Sequence, residues 1–258
     1  MPRLLRLFAG LVMTAALAAP GLAPSVGGAI THHPRVAAKG PSGPGAGSFG
    51  WASSNWSGYA ITGSGFTSVT GSWTVPTVSA TSKATYSSTW IGIDGFNNSS
   101  LIQTGTEQDY FNGSAHYNAW WEILPAAETP IGSITVHPGD KFSASVTRNS
   151  GSSWTITISD KTNGQSFTTV QSYGGPGTSA EWIQEAPTVG GRIANLAHYG
   201  QTTFDPGTVN GASPRLTGSE GGVMIQHRSQ VSTPSSPDGD TDGFSVAYGS
   251  TQPAPPAS

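Results

Sequence analysis

The chain has 258 residues, including 35 glycines and no cysteine; 10% of its residues are charged and its formal charge is −3. The length suits one large β domain or two small ones with a sizeable core, and the lack of cysteine excludes disulfides, thiol catalysis and thiolate-held metals. All 14 acidic residues follow position 93, so the part from residue 51 onward sets seven Lys/Arg against them for a formal charge of −7, and with no basic stripe nucleic-acid binding is disfavoured.

In chain order, residues 1–25 come first. Met1 to Arg6 is short and basic, Leu7 to Leu17 is apolar apart from Gly10 and Thr14, and small residues follow at Ala16, Ala18 and Ala19. This pattern predicts a Sec-type signal peptide, too short in its apolar run to span a bilayer comfortably. The mature chain is therefore expected to be secreted (extracellular), without a membrane segment. Residues 26–50 are rich in Gly and Pro and hold no acidic residue. They read as a pro-segment or disordered linker, either a spacer or a basic strap whose His32, His33, Arg35 and Lys39 mask an acidic cleft until cleavage.

From Trp51 to about residue 250 strand follows turn almost without pause. Strands are predicted at Trp56–Ile61, Phe66–Val75, Tyr86–Ile93, Leu101–Asp109, His116–Leu124 and Ser133–Val136. Others are predicted at Phe142–Arg148, Trp154–Ser159, Phe167–Gln171, Ala180–Ala186, Met224–Val231 and Gly243–Tyr248, with Gly, Asn, Pro and Asp turns between. No stretch of helical period is evident, so the fold class is all-β, an antiparallel sandwich or barrel. Residues 251–258 form a Pro-rich, loose tail. Sparse charge also predicts resistance to acid denaturation.

Side chains two apart share a strand face. Tyr117, Ala119, Trp121 and Ile123 read as core; Asn118, Trp120, Glu122 and Leu124 read as the floor of a groove. Gln103 shares a face with Leu101 and Gly105, and Glu181, Ile183 and Glu185 share another. Trp90 and Asp94 share a face if their strand stays regular beyond Gly92. By pattern alone Glu122 reads as readily as a structural carboxylate, and for Gln103 and Glu185 the structural reading is the better one.

Five motifs add a resemblance: Asn55-Trp-Ser-Gly58, Trp90-Ile-Gly-Ile-Asp-Gly95, Leu101-Ile-Gln-Thr-Gly105, Tyr117-Asn-Ala-Trp-Trp-Glu122 and Ala180-Glu-Trp-Ile-Gln-Glu-Ala-Pro187. In order and spacing they resemble the glutamic peptidase family, the eqolisins, over roughly residues 53–250. The resemblance implies a β-sandwich of two sheets, each about seven-stranded, with a concave active face. It implies a secreted acid endopeptidase acting on polypeptides, with Gln103 and Glu185 catalytic. The groove set around that pair comprises Trp90, Asp94, Asn118, Trp120 and Glu122. No metal or cofactor is implied, and a monomer is expected. Asn118 stands where fungal members commonly have Asp, and the cysteines of those members are missing, which points to a bacterial-type member.

Competing chemistries are less well supported. There is no G-x-S-x-G pentapeptide and no H-E-x-x-H. The run from Asp238 to Gly243 imitates the start of a calcium loop, but its twelfth position is Gly249, and it reads as a polar hairpin turn. A glycosidase or lectin sandwich using the tryptophans with Glu122 and Glu185 is the alternative.

Overall fold

The computed structural model describes residues 29–39 and 49–258; the signal-peptide reading of 1–25 lies outside them. The strands are β1 (Ile30–Thr31), β2 (Trp51–Ser53), β3 (Trp56–Thr62), β4 (Ser68–Thr74), β5 (Ser88–Ile93) and β6 (Ile102–Phe111). Next come β7 (Ser114–Ile123), β8 (Thr129–Pro130), β9 (Lys141–Ser150), β10 (Ser153–Asp160), β11 (Ser166–Ser172) and β12 (Ser179–Glu185). The last are β13 (Thr188–Val189), β14 (Arg192–Ile193), β15 (Gln201–Val209), β16 (Gly221–Gln226), β17 (Ser229–Pro234) and β18 (Phe244–Tyr248). A single 3-10 turn, Gly218–Glu220, is the one helical element among the described residues.

The main sheet is continuous, in the order β11-β10-β9-β4-β15-β18-β17-β16-β3-β12-β5-β6-β7-β8, with β2 paired to β16. It folds over on itself, so that β4 and β9 pack across β5, and β9 and β10 across β6. This is a sandwich made from one folded sheet, where two separate sheets were expected. The strands linking the layers, β16 to β18, keep the ladder unbroken.

Three strand expectations are corrected. Ser133–Val136 is irregular, although Ile134 and Val136 are buried; alternation alone mistook core anchoring for strand. Met224–Val231 is a hairpin, β16 and β17, broken where His227 and Arg228 take positive φ of 50° and 67°. Strand β15 went unpredicted because Pro206 and Gly207 interrupt it, and its register to β4 shifts there.

The core between the layers holds Tyr59, Trp73, Ile91, Ile93, Phe142, Trp154, Ile156, Trp182, Phe204 and Phe244. A smaller cluster of Trp56, Trp90, Leu101, Trp120 and Ile183 forms on the outer face of β3, β12, β5, β6 and β7. Those strands therefore bury both faces, and β5 and β12 are buried along their whole length. Near position 105 the sheet needs glycine, since a Cβ on Gly105 would lie 2.4 Å from Thr89 O and 2.5 Å from Trp90 Cβ. The close approach seats the Trp90 indole on the groove floor.

Candidate active site

Antiparallel register determines which side chains meet on the outer face. Glu185 lies opposite Ser88, Ser88 opposite Glu107, and Glu107 opposite Asn118. Ile183, Trp90, Gly105 and Trp120 form the next row, and Glu181, Gly92, Gln103 and Glu122 the one after. The aromatic row thus separates two rows that carry carboxylates.

Glu185 is fully buried. Trp90 Nε1 donates to its Oε2 at 2.8 Å, and Asn55 Nδ2 approaches Oε1 at 3.5 Å. In the other carboxylate row Gln103, also fully buried, donates from Nε2 to Glu122 Oε2 at 2.6 Å. An amide nitrogen has two hydrogens, so the second remains for a ligand. Trp120 Nε1 donates to Ser88 Oγ at 3.1 Å, which anchors the aromatic row.

The space between Glu185 and the Gln103–Glu122 pair is filled by the chain's own N-terminal segment. His32 is fully buried and stacks on Trp120 at 3.8 Å between ring centroids. Its Nδ1 lies 2.9 Å from Glu185 Oε2, and its Nε2 lies 3.2 Å from Glu107 and 3.3 Å from Glu128. Its main-chain N–H donates to Glu122 Oε1 at 3.2 Å, and that of His33 donates to Glu185 Oε1 at 3.3 Å. Asn55 holds the following turn, donating to the carbonyls of His33 and Pro34 and accepting from Val36 N. Arg35 lies 4.1 Å over the Phe96 ring, and β1 pairs with β13. Residues 29–39 are thus packed against the domain and not strung loosely from it.

Burial acts on every charge here. It depresses the His32 imidazole, but the opposing pull of Glu185, Glu107 and Glu128 is greater and leaves its pKa well above the ordinary value. Burial pushes Glu107 up to about 7 and Glu122 to about 8 against the lowering effect of His32. Asp109 and Glu181 are also raised, by burial first. An imidazolium among protonatable acids describes the cluster.

Gln103, Glu185, Trp90, Trp120 and Glu122 are brought together as the alternation implied. Asn118 reaches the edge of the groove, half-buried, with its Nδ2 unpaired among the described residues. Asp94 is elsewhere. The strand ends at Ile93, and Asp94 takes a φ of 73° that turns its carboxylate to the loop after β11. There it accepts from the Tyr173 hydroxyl at 2.7 Å, Gly177 N at 2.9 Å and Thr178 N at 2.8 Å, so it clamps that loop. Glu107 and Glu128 were missed. Glu107 was accessible to the same reasoning, since it shares a face with Gln103 and Gly105; Glu128, outside any regular strand, had no such signal.

The model of the peptidase A4 family matches residues 54–248. Aspergillopepsin-2 of Aspergillus niger is 33% identical over 214 residues, covering 73% of this chain and 76% of that protein. Scytalidopepsin B of Scytalidium lignicola is 35% identical over 137 residues, and the chain spans only 51% of its length. Among solved structures, scytalido-glutamic peptidase with a transition state analog inhibitor superposes with a TM-score of 0.66 at 25% identity, covering 76% of this chain and 98% of that one. Aspergilloglutamic peptidase from Aspergillus niger gives a TM-score of 0.53 at 27% identity, covering 64% and 99%.

Proposed function

The chain belongs to the peptidase A4 family of glutamic endopeptidases, and on that premise we propose that Glu185 and Gln103 are its catalytic pair. The observation that carries the assignment is the fixing of both groups on one groove floor. Glu185 is held by Trp90 and Gln103 by Glu122, and the space between them admits a polypeptide, here the segment around His32.

Ionised Glu185 takes a proton from a water as that water attacks the scissile carbonyl. The free N–H of the Gln103 amide donates to the oxyanion that develops on the carbonyl oxygen. Glu185 then returns the proton to the departing nitrogen. Glu122 serves as a positioning residue, because its bond to Gln103 Nε2 keeps the amide's donor, not its carbonyl, turned to the groove. Cleavage is expected to be acidic. The family match sets aside the sugar-directed alternative, which had no use for Gln103.

Residues 29–39 are an inhibitory pro-segment in this reading. His32 and His33 engage four carboxylates of the groove, Glu185, Glu122, Glu107 and Glu128, so the segment must leave before a substrate can enter. The basic start and apolar run of residues 1–25 support export. Among the described residues no helix is long and apolar enough to cross a membrane.

The test is cleavage of an unfolded protein across about pH 2–8, with wild type beside Glu185→Gln and Gln103→Ala. Each variant is expected to lose roughly 10²–10³-fold or more in kcat/KM with its thermal midpoint retained. Near-wild-type turnover in either folded variant would remove that residue from the mechanism.

A further inference from the structure

The run Asp238-Gly239-Asp240-Thr241-Asp242-Gly243 has the carboxylate spacing and sixth-position glycine that open a calcium loop. It forms the connection between β17 and β18. The loop is wound tightly, with Asp238 Oδ1 accepting from Asp242 N and Gly243 N, both at 3.2 Å. The missing acid of the twelfth position is replaced from another strand, because Asp205 of β15 approaches the loop. Asp205, Asp238 and Asp242 each present a carboxylate oxygen within 4.8 Å of the other two.

The oxygens that face this point are unspent. Asp238 is 6% exposed, and its Oδ2 receives no hydrogen bond from any described residue. The buried Asp242 Oδ1 is likewise without a partner. A Cβ on Gly243 would lie 2.4 Å from Asp238 Oδ2 and 3.0 Å from Asp205 Cγ, so Oδ2 is directed toward the Asp205 carboxylate across the glycine. No Lys, Arg or His pairs with these acids among the described residues. A polar hairpin accounts for Oδ1 of Asp238, but it leaves a buried, unpartnered carboxylate oxygen facing a second carboxylate.

We propose that Asp205, Asp238 and Asp242 form a calcium site that ties β15 to the β17–β18 connection. The donors are hard oxygens with no nitrogen or sulfur among them, which suits calcium and argues against zinc. Calcium–oxygen bonds of about 2.3–2.6 Å place oxygens of one shell at the mutual spacing seen here. The site would replace loop-to-loop repulsion by attraction in a chain without disulfides. The strands that carry it lie apart from the catalytic groove in the sheet order, so its effect falls on stability and not on the chemical step.

The experiment is calorimetric titration of the full chain with calcium chloride at neutral pH, joined to thermal unfolding in calcium, magnesium or chelator. Saturable uptake of one ion is expected, with a dissociation constant of about 10⁻⁴–10⁻³ M or tighter. A rise of about 5 °C in the midpoint is expected at a hundredfold excess over that constant, and a smaller one with magnesium. Asp238→Asn removes a loop bond as well as a ligand, so Asp205→Asn, whose side chain makes no loop bond, is the decisive variant. It should fold, keep its kcat and lose the calcium response. No saturable uptake by wild type, an equal shift from magnesium, or an undiminished response in Asp205→Asn would overturn the site.

Discussion

Glu185 and Glu122 show how neighbours divide the work among buried acids. Glu185 has a Trp90 donor and the imidazole of His32, whereas Glu122 is shifted up to about 8 chiefly by burial. Glu122 is therefore the better candidate to carry a proton through the working range, while its Oε2, accepting from Gln103 Nε2, orients the amide. Replacing it by Gln keeps the shape but lets the two amides pair either way round. A fall of roughly 10-fold or more in kcat is expected, with KM little changed and the upper limb of the pH–rate profile altered. A profile superimposable on wild type would reduce Glu122 to a packing residue. Alternation along the strands made most of these residues legible before any coordinates. Asp94 escaped it because one left-handed residue ends the alternation at Ile93.

At the scale of elements, the N-terminal segment and the strand pair β5–β6 are the parts most open to test. A synthetic peptide of residues 29–39 should inhibit the enzyme from which that segment has been removed. His32→Ala in that peptide should weaken inhibition by about 10-fold or more, since a charged hydrogen bond of about 1.5–3 kcal/mol is lost with the stack on Trp120. Equal inhibition by both peptides would show that the main-chain contacts suffice. In β6, Gly105→Ala drives a methyl into Thr89 O and Trp90 Cβ. Overpacking of this kind costs about 1–3 kcal/mol, visible as a lower thermal midpoint, with activity falling further as Trp90 shifts off Glu185. An unchanged midpoint would mean the two strands separate without cost. The strands themselves were readable from apolar alternation and turn residues, apart from β15, where Pro206 and Gly207 hide a strand whose partners β4 and β18 supply its order.

For the whole molecule, the direction of the buried pKa shifts sets the pH range of stability. Glu107 and Glu122 titrate near 7 and 8 in the fold, against about 4.3 unfolded. Between those values the folded chain holds protons that the unfolded chain has released, so stability is full below about pH 4 and falls as pH rises toward 8. Asp109 and Glu181 shift the same way. His32, raised above its usual 6.5, also contributes most below that value and loses its contribution above it. All five act in one direction, and the loss between acid and mildly alkaline pH is expected to be on the order of a few kcal/mol. Thermal midpoints should decline from pH 4 to pH 8; a rising midpoint over that range would show the carboxylates ionised in the fold.

The sequence by itself determined the strand-rich class, the groove face of β6, β7 and β12 and, through five ordered motifs, the family and with it the pair proposed here as catalytic, because each depends on neighbours within a few residues. Tertiary structure alone decided three things. It folded one sheet over where two were expected, tied Asp94 to the loop after β11, and joined segments far apart in the chain, His32 with Glu185 and Asp205 with Asp238. Those outcomes depend on contacts between segments far apart in the chain, where a local period of two residues has no reach.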